Sequence, residues 1–201
     1  MEWFVATEDD LSNALASKMV HFIDNAAILH PLGKKTGFGQ LKSKIASYCR
    51  LAEQGHYPVI VITDLDDTCC APSMKNEWIQ DGVLPAMLIF RIAVREAEAW
   101  LLADSAQFAK TFGVSEGKIP RDVETLTNPK EQMLALLKKH GNRKSKALLP
   151  RRGCNASVSL EYNRILTEFV THSWHPQRAR KRSQSLSKTL DRIAALYNKR
   201  K

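Results

Sequence analysis

Residues 57–70 read YPVIVITDLDDTCC, and this stretch decides the fold. Val59, Ile60, Val61 and Ile62 make a short β-branched run that reaches Thr63 and then opens into Asp64, Asp66 and Asp67. A run of this length, preceded by Gly55 and closed by acids, predicts a strand buried on both faces, as in a parallel sheet. Ligands of open α/β sheets gather beyond the carboxyl ends of such strands. Carboxylates crowded there repel one another until a cation or a proton lies between them, so the stretch predicts a divalent-metal site. Asp is also a common turn former. Three acids within four residues, at the mouth of a buried strand, favour a site over a simple turn.

Upstream, residues 3–7 (WFVAT) predict a first strand that ends in Glu8, Asp9 and Asp10. Leu11, Leu15, Met19 and Phe22 then recur on one helical face, with Asp9 or Asp10 as the N-cap. Residues 26–30 (AAILH) predict a second strand, and residues 40–53 an amphipathic helix through Leu41, Ile45 and Leu51. Downstream, Ala71, Pro72 and Ser73 open a short helix, and residues 87–94 (MLIFRIAV) predict a fourth strand that runs into REAEAWLLAD. Strands alternating with helices predict a mainly parallel sheet of about four strands over residues 1–104. Beyond it the β-branched runs stop. Helices are expected over 105–114, 129–141, 160–174 and 179–198, joined by a loop at 115–128 and a basic linker at 142–153. Pro129 suits a first helical position and Gly141 a helix end. The helical region 105–201 is expected to pack on the core.

The 201 residues carry a formal net charge of +9, unevenly divided. Residues 1–104 hold 9 Lys and Arg against 14 Asp and Glu; residues 105–201 hold 21 against 7. An acidic half joined to a basic half suits a metal site next to a polyanion-binding surface, although a basic tail can also simply aid solubility. The four cysteines show no CxxC spacing and no disulfide framework, and are expected to be reduced packing residues. No secretory signal pattern opens the chain and no run is long enough to span a membrane, so a cytoplasmic protein is expected. A Walker A lysine motif is absent, which argues against ATPase activity in the chain itself.

In a parallel sheet, the acids ending the first strand and those ending the third project from the same edge. Glu8 with Asp64 and Asp66 would hold Mg²⁺ or Mn²⁺ through oxygen ligands and leave positions for water and a phosphate. This arrangement resembles the TOPRIM domain of topoisomerases, primases and overcoming-lysogenization-defect nucleases, where a glutamate follows the first strand and a DxD the third. The chain departs from that pattern at Asp9, where TOPRIM proteins usually have Gly. Residues 95–102 (REAEAWLL) are similar to the Arg-Glu-x-Glu-aromatic segment of TOPRIM nucleases in phage-defence systems. Most of the chain resembles a TOPRIM-like family whose members are often encoded beside an ABC-type ATPase.

The resemblance implies a Rossmann-like core and a metal-dependent nuclease that hydrolyses phosphodiesters in DNA or RNA. It further implies an effector of an anti-phage or toxin-like system, with an ABC- or AAA-type ATPase and a second copy of the chain as partners. It makes Glu98 a further ligand or a support to one, the alternative being an acid favoured by a helix start. For Glu96 the same two readings stand level. Asp67 is a further metal candidate. Lys130 resembles the catalytic lysines of such nucleases, and is otherwise an exposed residue. In the basic C-terminal stretch, Arg178, Arg180, Lys181 and Arg182 are expected to meet nucleic-acid phosphates without sequence choice. The alternative there is a solvated helix face or a dock for an acidic protein.

VIVITDLDDT also fits the haloacid-dehalogenase signature DxDxT, with Asp64 as phosphate-accepting nucleophile and Asp66 as general acid. That phosphatase chemistry needs a later lysine and another acidic pair at a strand end, and no such strand is expected after Val94. It ranks second. A third reading is a non-catalytic subunit that docks an ATPase and holds nucleic acid. His172 and His175 in HSWH have metal-like spacing without an acid or cysteine partner nearby, so a helix end with Trp174 packed is expected there.

Overall fold

The computed structural model describes residues 1–33, 37–66, 68, 70–79, 83–151 and 153–200. The first half alternates as expected: β1 (Glu2–Thr7), α1 (Asp10–Ile23), β2 (Ile28–Pro31), α2 (Phe38–Ser43), α3 (Ile45–Glu53), β3 (Val59–Asp64), α4 (Ala71–Trp78) and β4 (Leu88–Ala93). The remainder is helical: α5 (Ala97–Ala103), α6 (Ser105–Phe112), α7 (Pro129–His140), α8 (Arg143–Lys146), α9 (Tyr162–His172), α10 (Pro176–Ala179) and α11 (Gln184–Asn198). The strands form one all-parallel sheet in the order β2-β1-β3-β4, so the protein is α/β with a Rossmann-like core and a helical C-terminal region. Among the described residues no helix is long and apolar enough to cross a membrane.

β3 is central and buried from Val59 to Thr63, because helices cover both of its faces. Ile60 and Ile62 face a core built with α1, α5, α9 and α11, while Val59 and Val61 face a smaller one with α3 and α4. Strand alternation sends successive side chains to these opposite layers. The larger core takes residues from both halves of the chain, with Trp3, Trp100 and Trp174 fully buried in it. Their indole N–H groups need partners there: Trp174 donates to the carbonyl of Trp100 at 2.9 Å, and Trp100 to Ser185 Oγ at 2.8 Å.

Local differences from expectation have local causes. The helix expected over 40–53 is two helices that meet at Lys44. The last expected helix, 179–198, starts later, at Gln184, after a separate short helix. Pro176 starts α10, and Ser183 starts α11 by accepting the N–H of Leu186 on its side chain. Phe22 is 40% exposed rather than packed in the core, and lies edge-on to the His175 ring. Cys154, expected to pack, is exposed; Cys49 and Cys70 are partly buried free thiols.

Register places the acids. Thr7 pairs with Ile62, so Glu8 follows the end of β1 beside Thr63; Asp64 pairs with Ala93, so residues 95–97 follow just beyond it.

Candidate functional site

Glu8 reaches across from β1 to the end of β3. Its Oε1 accepts the backbone N–H of Asp64 at 3.0 Å and a short hydrogen bond from the Thr63 hydroxyl. Asp64 in turn accepts the N–H of Ala97, at the start of α5, on Oδ1 at 2.9 Å. Glu98, the next residue of α5, is 5% exposed and accepts the Tyr162 hydroxyl of α9 at 2.5 Å. Three carboxylates from the ends of β1, β3 and β4 thus gather at one edge of the sheet. Asp9 does not join them as a ligand candidate: it is the N-cap of α1 and accepts the N–H of Ser12 at 2.8 Å.

The backbone around Asp66 is unusual. Asp66 has φ 46° and Arg95 φ 45°, the left-handed region that residues other than glycine seldom occupy. The two are clamped together: the Arg95 carbonyl accepts the N–H groups of Leu65 and Asp66 at 3.0 Å each, and Arg95 Nη1 donates to the Asp66 carbonyl at 3.2 Å. Backbone held in sparsely populated regions clusters at functional sites, where surrounding contacts over-determine it. Here the clamp turns Asp66 outward, exposed, at the mouth of a cleft of about 670 Å³ shared with Arg95, Glu96, Asn128, Lys130 and Ser157.

Electrostatics follow from this crowding. Burial raises Asp64 well above the usual carboxylate range, and Glu98, Glu8, Asp9 and Asp66 push it further up. Burial also raises Glu8, against the hydrogen bonds from Thr63 and the Asp64 backbone that favour its anion. Glu98 is raised by burial, and the Tyr162 hydroxyl only partly offsets this. Neighbouring carboxylates and desolvation both disfavour the charged forms, so a bound cation would relieve the site. The donor set is carboxylate oxygen throughout, which fits a hard divalent ion, and Glu8 and Asp64 each commit one named oxygen to the bonds above. Among the described residues no three His, Cys, Asp or Glu side chains stand close enough to form a finished metal cage. Asp67, the fourth expected ligand, lies outside the described residues, as does Cys69.

Two expected residues take other work. Glu96 is not aimed at Asp64: its Oε2 accepts the N–H of Lys130 at 2.8 Å, at the positive start of α7. Lys130 Nζ lies 5.1 Å from the centre of the Tyr162 ring, a cation–π contact at the edge of the cleft. Tyr162 is the contributor that sequence reading passed over; a tyrosine opening an amphipathic helix gives no sign of its partner 64 residues away.

The basic C-terminal stretch is tied into the fold. Arg178 binds the buried Asp104 through Nε and Nη2, both at 2.8 Å. Arg180 pairs with Asp191 at 2.6 Å and contacts Ser187. Arg182 donates to the carbonyls of Arg121 at 3.3 Å and Pro120. These guanidinium groups tie loops and helix ends together, because five fixed donors suit clustered carbonyl and carboxylate oxygens inside a fold as well as phosphates outside it. Lys181 is exposed beside them. Trp174 in HSWH is buried, as expected, and His175 accepts the N–H of Gln177 on Nδ1 at 3.2 Å.

Residues 5–194, nearly the whole chain, match the family model described as "Domain of unknown function (DUF4276)". No curated protein and no solved structure matches the chain.

Proposed function

The chain belongs to the DUF4276 family, and within it we propose a Mg²⁺- or Mn²⁺-dependent nuclease that hydrolyses phosphodiesters in DNA or RNA. One observation carries the reading: Glu8, 56 residues before Asp64, has its carboxylate on the Asp64 backbone N–H, so the two acid clusters of the sequence share one sheet edge. Glu8, Asp64 and Asp66 would hold the ion, which when bound polarises a phosphate and lowers the pKa of attacking water. Thr63 orients Glu8, and the Ala97 N–H orients Asp64. Glu98, fixed by Tyr162, adds negative charge behind Asp64. Arg95 and Lys130 line the cleft beside Asp66 and bring positive charge for the phosphate. An ATPase partner, self-association, a place in the cytoplasm and a role in defence belong to the same proposal and rest on the resemblance.

The test is nicking of plasmid and cleavage of tRNA with Mg²⁺ or Mn²⁺. Activity is expected in the wild type and absent in the Asp64→Ala, Asp66→Ala double variant; activity that survives in that variant sinks the assignment. The phosphatase reading needs a later strand ending in paired acids, and among the described residues no strand follows β4. Hydrolysis of small phosphomonoesters, lost in Asp64→Asn, would reinstate it. Nucleic-acid binding without metal uptake by calorimetry would favour the non-catalytic subunit.

A further inference from the structure

A second cleft, of about 430 Å³, wraps the outer edge of β4 between α4 and α11. Lys75 of α4, Arg91 of β4 and Lys188 of α11 line it, together with Ser185 and the apolar Phe90 and Pro72. Arg91 shares a face of β4 with Ile89 and Ala93, which pack in the larger core, so its side chain leaves a strand otherwise buried there. Its Nε is buried and has no hydrogen-bond partner among the described residues. The other two buried side-chain atoms in that condition, Trp78 Nε1 and Thr167 Oγ1, are uncharged.

A guanidinium cannot shed its proton, so a buried N–H of one without a partner costs stability unless something outside the chain satisfies it. Among the described residues nothing accepts from Arg91 Nε. Arg192 of α11 faces Arg91 and repels it, and burial together with that repulsion lowers Arg91 below its usual range. Arg192 itself donates to the Ala86 carbonyl. Among the described residues no ion pair engages Lys75 or Lys188. Glu124 is the acid of the cleft, and its Oε1 is already taken by the Ser185 N–H at 2.7 Å and the Ser183 and Ser185 hydroxyls at 2.6 Å each.

Three cations and the apolar Phe90 and Pro72 lining one cleft suit a phosphorylated organic molecule. A volume of about 430 Å³ falls in the ~300–1,000 Å³ range of small-molecule sites. We propose that this cleft binds a phosphate-bearing ligand of nucleotide size, with Arg91, Lys188 and Lys75 on the phosphate and the organic part against Phe90 and Pro72. The site stands apart from the acid cluster and does not depend on nuclease activity. The phosphate comes either from a free nucleotide or from one residue of a nucleic-acid strand.

Full-length protein in EDTA would be titrated with inorganic phosphate, adenosine 5′-monophosphate and a six-residue oligothymidylate, following melting temperature and binding heat. Wild type is expected to be stabilised by at least one probe. Arg91→Met is expected to melt higher than wild type without ligand, since an unpaired charge has gone, and to bind that probe at least tenfold more weakly. Lys188→Met, an exposed change, should weaken binding without altering the unliganded melting temperature. Tighter binding of the monophosphate than of the oligonucleotide identifies a free nucleotide; the reverse identifies a strand. Failure of all three probes to bind wild type, or equal binding by wild type and Arg91→Met, overturns the proposal.

Discussion

The acids at the strand ends and the acids beneath the C-terminal helices are treated in opposite ways by one chain. Asp104 is 1% exposed and fully matched: Arg178 grips both its oxygens, and the His175 N–H adds a third bond at 2.9 Å. Glu124 takes three donors from the start of α11, and these hold it below the usual range despite its partial burial. Asp64 instead has Glu98 and Glu8 beside it, and all three are raised, each chiefly by burial. Their neighbourhood also holds both of the left-handed backbone positions occupied by residues other than glycine among the described residues, Asp66 and Arg95. A carboxylate that serves the fold is paired within the fold. Carboxylates left to repel each other, on a backbone held in place by a mutual clamp, are arranged for something the chain does not itself contain.

The contrast can be broken at its strongest point. Arg178→Ala leaves Asp104 buried and without its cation, which in a fully buried pair costs about 3–5 kcal/mol. Water reaches Arg178, whose side chain is 45% exposed, so a loss of about 2–3 kcal/mol is expected in a denaturant titration. A loss under about 0.5 kcal/mol, the scale of an ordinary surface change, would mean that the His175 N–H suffices and that Asp104 is not held by charge.

The opposite sign is expected at the strand ends. Asp64→Asn keeps an oxygen for the Ala97 N–H and removes one of the repelling charges. In EDTA it should stabilise the protein by about 1–2 kcal/mol, as removal of strained functional groups commonly does. For a chain of this size that is a rise of roughly 2–8 °C in melting temperature. The same variant should lose metal-dependent cleavage. An Asp64→Asn protein that is less stable than wild type would place Asp64 with Asp104, among the structural acids.

Which acids belong to which set was only partly legible in the sequence. Glu8, Asp64 and Asp66 were, because an apolar run followed by acids marks a strand end, and a parallel sheet gathers such ends on one edge. The alternation of strands and helices carried the sheet itself in the same way. Glu96 and Glu98 were not separable, two residues apart in one segment, until α7 and α9 supplied their different partners. The same limit explains the arginines. In RARKRS the charges are plain, but whether a guanidinium meets Asp104, a Pro120 carbonyl or solvent depends on loops that carry no periodicity. Arg91 shows the converse: a single charge within an apolar run reads as an interruption, and only the packed helices reveal that its Nε has no partner among the described residues.

The finest test of the contrast is its dependence on pH, at Glu124. A carboxyl whose folded pKa lies below its ordinary value, here 4.5, binds its proton more weakly in the folded state than in the unfolded one. The stability it contributes is therefore complete above that ordinary value and drains away as pH falls through the lower, folded value. Glu124→Gln keeps an acceptor for the Ser185 N–H but gives up the charge in those bonds. It should cost up to about 1 kcal/mol at pH 7, the worth of a charge-assisted bond partly exposed to water. That difference should shrink steadily when both proteins are titrated with denaturant from pH 5 towards pH 3. Asp64, Glu8 and Glu98, raised rather than lowered, have the reverse slope, favouring the fold as pH falls towards their ordinary values. A Glu124→Gln difference that stayed constant across that interval would show that the serine donors hold the side chain by its shape alone. The line between the two sets of acids would then have to be drawn at Asp104, where a full positive charge is present.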